Sequence, residues 1–305
     1  MGSQSGERMK ELAVLSGKGG TGKTSIVASF AAIYDDKVVA DCDVDAADLH
    51  LVMRPHASEW QSFHGSKVAV VRSDDTAGCG RGVEVCRFDA FLEKRDPGDP
   101  AIVHYTVDAL ACEGCGACVI VCPPGAVELV DARTGRWASS KSRLGPLVHA
   151  QLGIGEESSG KLVTMVRTAA AALAREQGKK LSLIDGSPGI GCPVIASLTG
   201  ASLALVVTEP TVSGLHDLQR VAGVARKLGV PLTVAINKHD INADAADDIE
   251  TWCEAEAIPV SGLIPYDDAV TEAQVIGLSV VEHSDGPAAS AIRELWGRVS
   301  AMLEL

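Results

Sequence analysis

The chain has 305 residues, 46 % of them hydrophobic and only 4 % aromatic, and a formal net charge of −13. That length can bury a full core in one large domain or two. The acidic balance disfavours nucleic acid and anionic lipid as partners, since both need clustered Lys/Arg, and there is no run of about 18 apolar residues to span a membrane.

In chain order, residues 1–8 read as a tail ahead of Met9. The apolar run Leu12-Ala13-Val14-Leu15 predicts a strand, and a helix is expected over Lys23–Ile33. Between them lies Ser16-Gly17-Lys18-Gly19-Gly20-Thr21-Gly22-Lys23-Thr24, a complete G-x-x-x-x-G-K-T loop followed by Ser25. Glycines let the backbone wrap a polyphosphate, and the following helix points its positive end at that charge. Lys23 is placed to reach the β/γ-phosphates and the Thr24 hydroxyl to hold Mg²⁺. Lys18 comes too early to duplicate Lys23, and an isolated subunit gives it no evident task.

A second strand, Val38–Ala40, runs into Asp41-Cys42-Asp43. Asp45 and Asp48 beyond it are expected to be solvated or to cap the helix starting near Leu49. From Ser62 to Arg143 no long helix is predicted, and cysteines and glycines accumulate there. Residues 62–145 therefore read as an inserted module, with 9–61 and 146–305 forming the main domain. Gly145–Gly160 reads as the joining stretch. Its tail, Gly155-Glu156-Glu157-Ser158-Ser159-Gly160-Lys161, reads first as a helix cap with first-turn acids and second as a relay or partner surface.

After a helix over Leu162–Glu176 comes the strand Leu181–Ile184, ending in Asp185-Gly186-Ser187-Pro188-Gly189. Cys192 follows and is expected to be a small buried apolar residue, with contact to a cluster or partner as the alternative. Cys42 and Cys253 read as packing residues. The strand Ala204–Val207, a helix over Ser213–Leu228 and the strand Thr233–Ile236 lead to Asn237-Lys238-His239-Asp240. Helices over Ala243–Ala257, Asp267–Val275 and Ala288–Leu303, with a strand at Gly262–Ile264, complete the pattern. Strand–helix alternation predicts an α/β fold with a mostly parallel sheet, ligands sitting beyond the strands' carboxyl ends.

Nine cysteines in a chain expected to be cytoplasmic suggest metal ligation before disulfides. Cys112-Glu113-Gly114-Cys115-Gly116-Ala117-Cys118-Val119-Ile120-Val121-Cys122-Pro123 is the C-x₂-C-x₂-C-x₃-C-P run of bacterial ferredoxins. A zinc site is the alternative. Upstream, Thr76 to Cys86 is a damaged copy, in which Thr76 and Gly82 replace the first and third cysteines and Cys79 and Cys86 remain. The fourth cysteine of each run ligates the other cluster in two-cluster ferredoxins. That crossing predicts one complete [4Fe–4S] set, Cys86, Cys112, Cys115 and Cys118, and a depleted second site with Cys79 and Cys122. Asp74 or Asp75 could lend the depleted site an oxygen.

The loop with its early lysine, Asp41-Cys42-Asp43, Asp185 to Gly189 and Asn237 to Asp240 together resemble the MinD/ParA/Mrp and nitrogenase iron protein group of P-loop ATPases. The resemblance implies that Lys18 crosses a dimer interface to the partner's phosphates and that Asp43 orients the attacking water. It also implies that Asp185 holds Mg²⁺ through a water and senses the γ-phosphate, with Asp41 structural or behind the metal. Asn237-Lys238 would face adenine, which favours ATP over the guanine that an N-K-x-D loop reads in GTPases. The family's inserted ferredoxin usually carries two intact clusters, from which this chain departs. The implied function is a homodimer, or a dimer with a close paralogue, in which ATP gates electron transfer to a redox partner. The second reading is an ATP-controlled carrier serving an iron–sulfur acceptor, and the third, ranked low, is a positioning ATPase.

Overall fold

The computed structural model describes residues 9–56, 59–72, 80–99, 101–153 and 160–305. The chain opens with β1 (Lys10–Ser16), α1 (Lys23–Ile33), β2 (Lys37–Asp41) and α2 (Leu49–Met53). It continues through β3 (Gln61–Phe63), β4 (Ser66–Val71), α3 (Gly80–Val85), β5 (Phe91–Arg95), β6 (Val103–Val107), α4 (Ala117–Val121) and β7 (Val127–Ala132). Then come β8 (Gly135–Ser142), β9 (Gly145–Leu152), α5 (Gly160–Glu176), β10 (Leu181–Pro188), α6 (Cys192–Leu198), β11 (Leu203–Thr208) and α7 (Val212–Lys227). The last elements are β12 (Leu232–Asn237), α8 (Ala243–Ala255), β13 (Val260–Ile264), α9 (Ala269–Val275), α10 (Val280–His283) and α11 (Pro287–Leu303).

The chain divides into two compact units. The larger holds the segment up to Gln61, Trp137–Gln151 and everything from α5 onward. Its sheet runs β13-β12-β11-β1-β10-β2-β9-β8-β3, and every pairing from β13 to β9 is parallel. Strands buried on both faces explain the continuous apolar runs: Leu12 to Leu15 and Val38 to Ala40 are wholly inaccessible. Leu12 and Val14 join a core with Phe30 of α1 and Leu295 and Trp296 of α11. Ala13 and Leu15 alternate to the opposite face. Phe30 and Tyr34 both stack obliquely on Trp296, at 5.0 and 5.3 Å between centroids. On the other side α5 packs on β2 and β10, burying Leu162, Val163, Val166 and Ala170.

Each long helix lies where the apolar pattern predicts it, within two residues at either end. One expectation fails. The stretch from Gly145, read as a joining segment, begins with β9, which pairs with β2 through Val39–Leu147 and Ala40–Val148. Leu147, Val148 and Ala150 are buried core residues. The Gly-Pro at its start and His149 within it disguise a strand that the sheet needs to cover β2. The larger unit accordingly resumes at Trp137, not at residue 146.

The smaller unit centres on Ser62–Arg136. It contains two antiparallel ladders, β4 with β7 and β5 with β6, and the short helices α3 and α4. Its core is Ala69, Phe91, Cys122, Ala126 and Val127, with Val71, Tyr105, Val107 and Leu129 packed against it. Among the described residues no helix is long and apolar enough to cross a membrane.

Candidate functional site

In the larger unit, β1 feeds a loop that turns at Gly20 and Gly22, both with positive φ (80° and 85°), into α1. Close packing fixes the loop at both ends. A Cβ on Gly17 would stand 2.2 Å from Asp217 Cβ, and one on Gly22 would stand 2.4 Å from Asn237 Nδ2. Only glycine allows α7 and β12 to approach this closely. No side chain caps α1, so its first amides remain available to an anion. The loop borders a cavity of about 460 Å³ whose lining includes Gly19 to Ser25, Asp43 and Pro188.

Lys23 is the charge centre. It is 5 % exposed, and its Nζ donates to Asp43 Oδ2 at 3.1 Å and to Asp185 Oδ1. Burial works to lower its pKa, but Asp185 and then Asp43 outweigh that and hold it above the ordinary lysine value. Burial pushes Asp41 well above the usual carboxylate range, reinforced by Asp185. Asp43 is also raised by burial, against the opposing pull of Lys23. One oxygen of each of Asp41, Asp43 and Asp185 is buried without a protein partner, as is Thr21 Oγ1. Buried carboxylate oxygens left over in this way suit a hydrated cation beside the phosphate loop. The protein groups alone do not form a cage: no three of the described His, Cys, Asp or Glu residues converge on a single ion. Asp45 and Asp48 are exposed, and Asp48 precedes α2 without making a side-chain cap.

The second half of the site is tied together by hydrogen bonds and ion pairs within the chain. Asn237 Nδ2 donates to Thr21 O at 2.8 Å, and its Oδ1 accepts from Lys238 N, so both ends of the amide are engaged. It braces the phosphate loop and does not line the cavity. Across the cavity stand Val270 and Gln274 of α9, with Gln274 Nε2 donating to Ser25 Oγ at 2.7 Å. Asp240 Oδ1 accepts from Tyr266 N. Lys18 has a partner within its own chain: its Nζ lies 3.2 Å from Glu209, which also accepts from Lys238 Nζ. Sequence reasoning missed Glu209, Val270 and Gln274. Glu209 was findable, because it sits just past a strand's carboxyl end, as Asp43 and Asp185 do.

In the smaller unit, Cys86, Cys112, Cys115 and Cys118 line one cavity with Ala69, Phe88 and Phe91. The cavity is small, about 20 Å³, room for one water. Ala69 N lies 3.5 Å from Cys112 Sγ and donates to it. The 112–118 loop turns at Gly114 and Gly116, both with positive φ, and a Cβ on Gly114 would stand 2.1 Å from Lys67 O. Burial works to raise the Cys86 pKa, but backbone hydrogen bonds from Phe88, Ala90 and Phe91 prevail and hold it below the usual thiol value. Cys118 moves up, through burial and then the Cys112 charge. Cys122 does not line this cavity: it is 6 % exposed in the apolar core beside Phe91 and Gly82, a core against which Cys86, Cys112 and Cys118 also pack. Thr76 and Cys79, and with them the expected proximity of Cys79 to Cys122, lie outside the described residues, as do Asp74, Asp75 and the stretch 155–159. Cys42 and Cys253 are buried as expected, and burial pushes the Cys253 thiol up to about 11. Cys192 is not: it is exposed as the first residue of α6, because Gly191 and Pro193 start that helix at the surface.

A glycine-tuned phosphate loop with acids at the neighbouring strand ends matches a known family across residues 12–280, the CobQ/CobB/MinD/ParA nucleotide-binding domain. The chain belongs to this family. An uncharacterised protein of Methanocaldococcus jannaschii is 32 % identical over 76 % of this chain and 79 % of its own length. An iron–sulfur cluster carrier protein of Pyrococcus horikoshii is 25 % identical over 93 % of this chain and 83 % of its own. Among solved structures, the septum site-determining protein MinD of Pyrococcus horikoshii, complexed with Mg-ADP, has the same fold. It superposes with a TM-score of 0.57 at 17 % identity, covering 97 % of each chain.

Proposed function

We propose that this chain is an ATP-hydrolysing switch coupled to a single [4Fe–4S] cluster, gating electron transfer to a protein partner. The observation that supports the cluster is the four-cysteine cavity. Cys86 is remote in sequence from Cys112, Cys115 and Cys118, yet it lines the same cavity, while Cys122, adjacent to their run, does not. That arrangement supports the reading of a crossed ferredoxin ligand set with one site retained. The spacing of Cys112, Cys115, Cys118 and Cys122-Pro123 is what favours a cubane over zinc. The space enclosed here, about 20 Å³, is smaller than a cubane, so the four thiols would have to stand further apart to hold the cluster.

At the nucleotide, Lys23 would leave its two carboxylates for the β/γ-phosphates, releasing Asp43 and Asp185. Asp43 then orients the attacking water, and Asp185 reports the γ-phosphate to the loop Gly186 to Gly189. Bound Mg²⁺, held by Thr24 with Asp43 and Asp185 nearby, would neutralise charge on the phosphates. Lys18 reaches the phosphates of a second subunit, so ATP closes a dimer of this chain with itself or a close paralogue. Val270 and Gln274 give the cavity a wall for the base, with Asn237 and Lys238 supporting the loop beside it.

The test is iron and ligand analysis on protein prepared without oxygen. We expect ~4 Fe per chain, lost in Cys86→Ser and kept in Cys122→Ser. About 8 Fe, or the opposite response of the two variants, refutes the crossed set. The relative named as a cluster carrier supports a second reading, delivery of the cluster to an apo-protein. A carrier's cluster transfers to an apo-acceptor on ATP turnover. An electron-transfer cluster cycles between redox states and stays bound.

A further inference from the structure

Glu209 lies one residue beyond β11, at the same end of the sheet as the phosphate loop. Its Oε2 lies 3.2 Å from Lys18 Nζ, and its Oε1 accepts from Lys238 Nζ at 2.7 Å. One carboxylate therefore ties together the phosphate loop and the loop after β12. Burial works to raise the Glu209 pKa, but hydrogen bonds from Lys238 and Lys18 outweigh it and keep the carboxyl below its usual range. The side chain is 15 % exposed, against 35 % for Lys18.

The two partners differ in freedom to move. The Glu209 backbone is wedged by the first turn of α7: a Cβ on Gly214 would stand 2.2 Å from Glu209 O. Thr211 caps that turn by accepting from Gly214 N. Besides the Glu209 pair, Lys18 is anchored at its main chain, where Ser16 Oγ donates to its carbonyl. Its ammonium swings on four methylenes. A bound triphosphate concentrates several negative charges, whereas Glu209 offers one, shared with Lys238.

We propose that Glu209 is a positioning residue that holds Lys18 within its own subunit until the phosphates bound by a second subunit compete for it. It thereby sets the ATP concentration at which the dimer closes. This rests on the reading of Lys18 as a cross-subunit contact. Glu209→Gln preserves shape and removes the charge, so Lys18 is released early. The midpoint concentration of a slowly hydrolysed ATP analogue for dimerisation, read by sedimentation, should fall about fivefold, the worth of one partly exposed ion pair. A merely structural lesion would raise that midpoint. Should Glu209→Gln fold poorly in a thermal melt, Glu209→Asp, which withdraws the carboxylate by one methylene, should give a smaller shift of the same sign.

Lys18→Met serves as the second arm. It should fail to dimerise in the concentration range that closes the wild type, and adding Glu209→Gln to it should change nothing. If Lys18→Met fails while both Glu209 variants keep the wild-type midpoint or raise it, the holding role is overturned and the cross-subunit reading stands. If Lys18→Met dimerises like the wild type, the cross-subunit reading falls and the holding role with it.

Discussion

Replacing Lys23 with methionine should do more than abolish nucleotide binding; it should steepen the loss of stability as pH rises. Lys23 is the cation among Asp41, Asp43 and Asp185, bonded directly to the last two, and all four are buried. Methionine fills the space of the stem but leaves the acids uncompensated. Removing one partner of a buried ion pair costs about 3–5 kcal/mol, so urea unfolding at pH 8 should show a loss of that size. The burden eases where a carboxyl can take a proton. Asp41 and Asp43 already titrate above their ordinary range, which means the folded state binds protons the unfolded chain has released. A raised acid contributes stability that is present below its unfolded pKa and lost as pH climbs through its folded pKa. Without Lys23 that loss should dominate, so the variant should be closest to wild type near pH 5 and furthest from it near pH 8. Adding Asp43→Asn to Lys23→Met removes one of the stranded charges and should recover part of the deficit. If Lys23→Met unfolds at wild-type urea at pH 8, or its deficit does not change with pH, the acids are not held by Lys23.

Asp43→Asn alone should cut ATP turnover about a hundredfold or more while the ATP-bound dimer persists, because it removes water positioning but no phosphate contact. Wild-type turnover in that variant would move the role elsewhere, with Asp41 next in line. Lys37, wholly buried at the start of β2, is pushed down to about 8 by burial and then by the charge of Lys179, against the opposing pull of Asp35. A lysine lowered from 10.5 to about 8 costs about 3 kcal/mol at neutral pH, and stability should rise with pH between those values as the penalty disappears. Lys37→Met should therefore stabilise the protein at pH 7 and flatten that rise. A destabilised or pH-insensitive variant in denaturant titrations would contradict it.

The parts of this protein legible in its sequence are those written locally. A phosphate loop needs its glycines and lysine within one turn of chain, and an all-parallel sheet needs continuous apolar strands, so Ser16 to Thr24 and the strands at 12–15, 181–184, 204–207 and 233–236 announce themselves. The spacing of the intact and the damaged cysteine run groups Cys86 with Cys112, Cys115 and Cys118, and these four do line one cavity. What sequence left open depends on groups that meet only once the chain is folded. β9 is a strand because β2 needs covering, although Gly145-Pro146 looks like a linker. Asn237 braces Thr21 because Gly22 brings the two loops together, and Cys192 is exposed because its helix starts at the surface. The salt link from Lys18 to Glu209 joins positions far apart along the chain, and no periodicity marks it. Local pattern determines which elements form, and tertiary packing determines which charges they bring together.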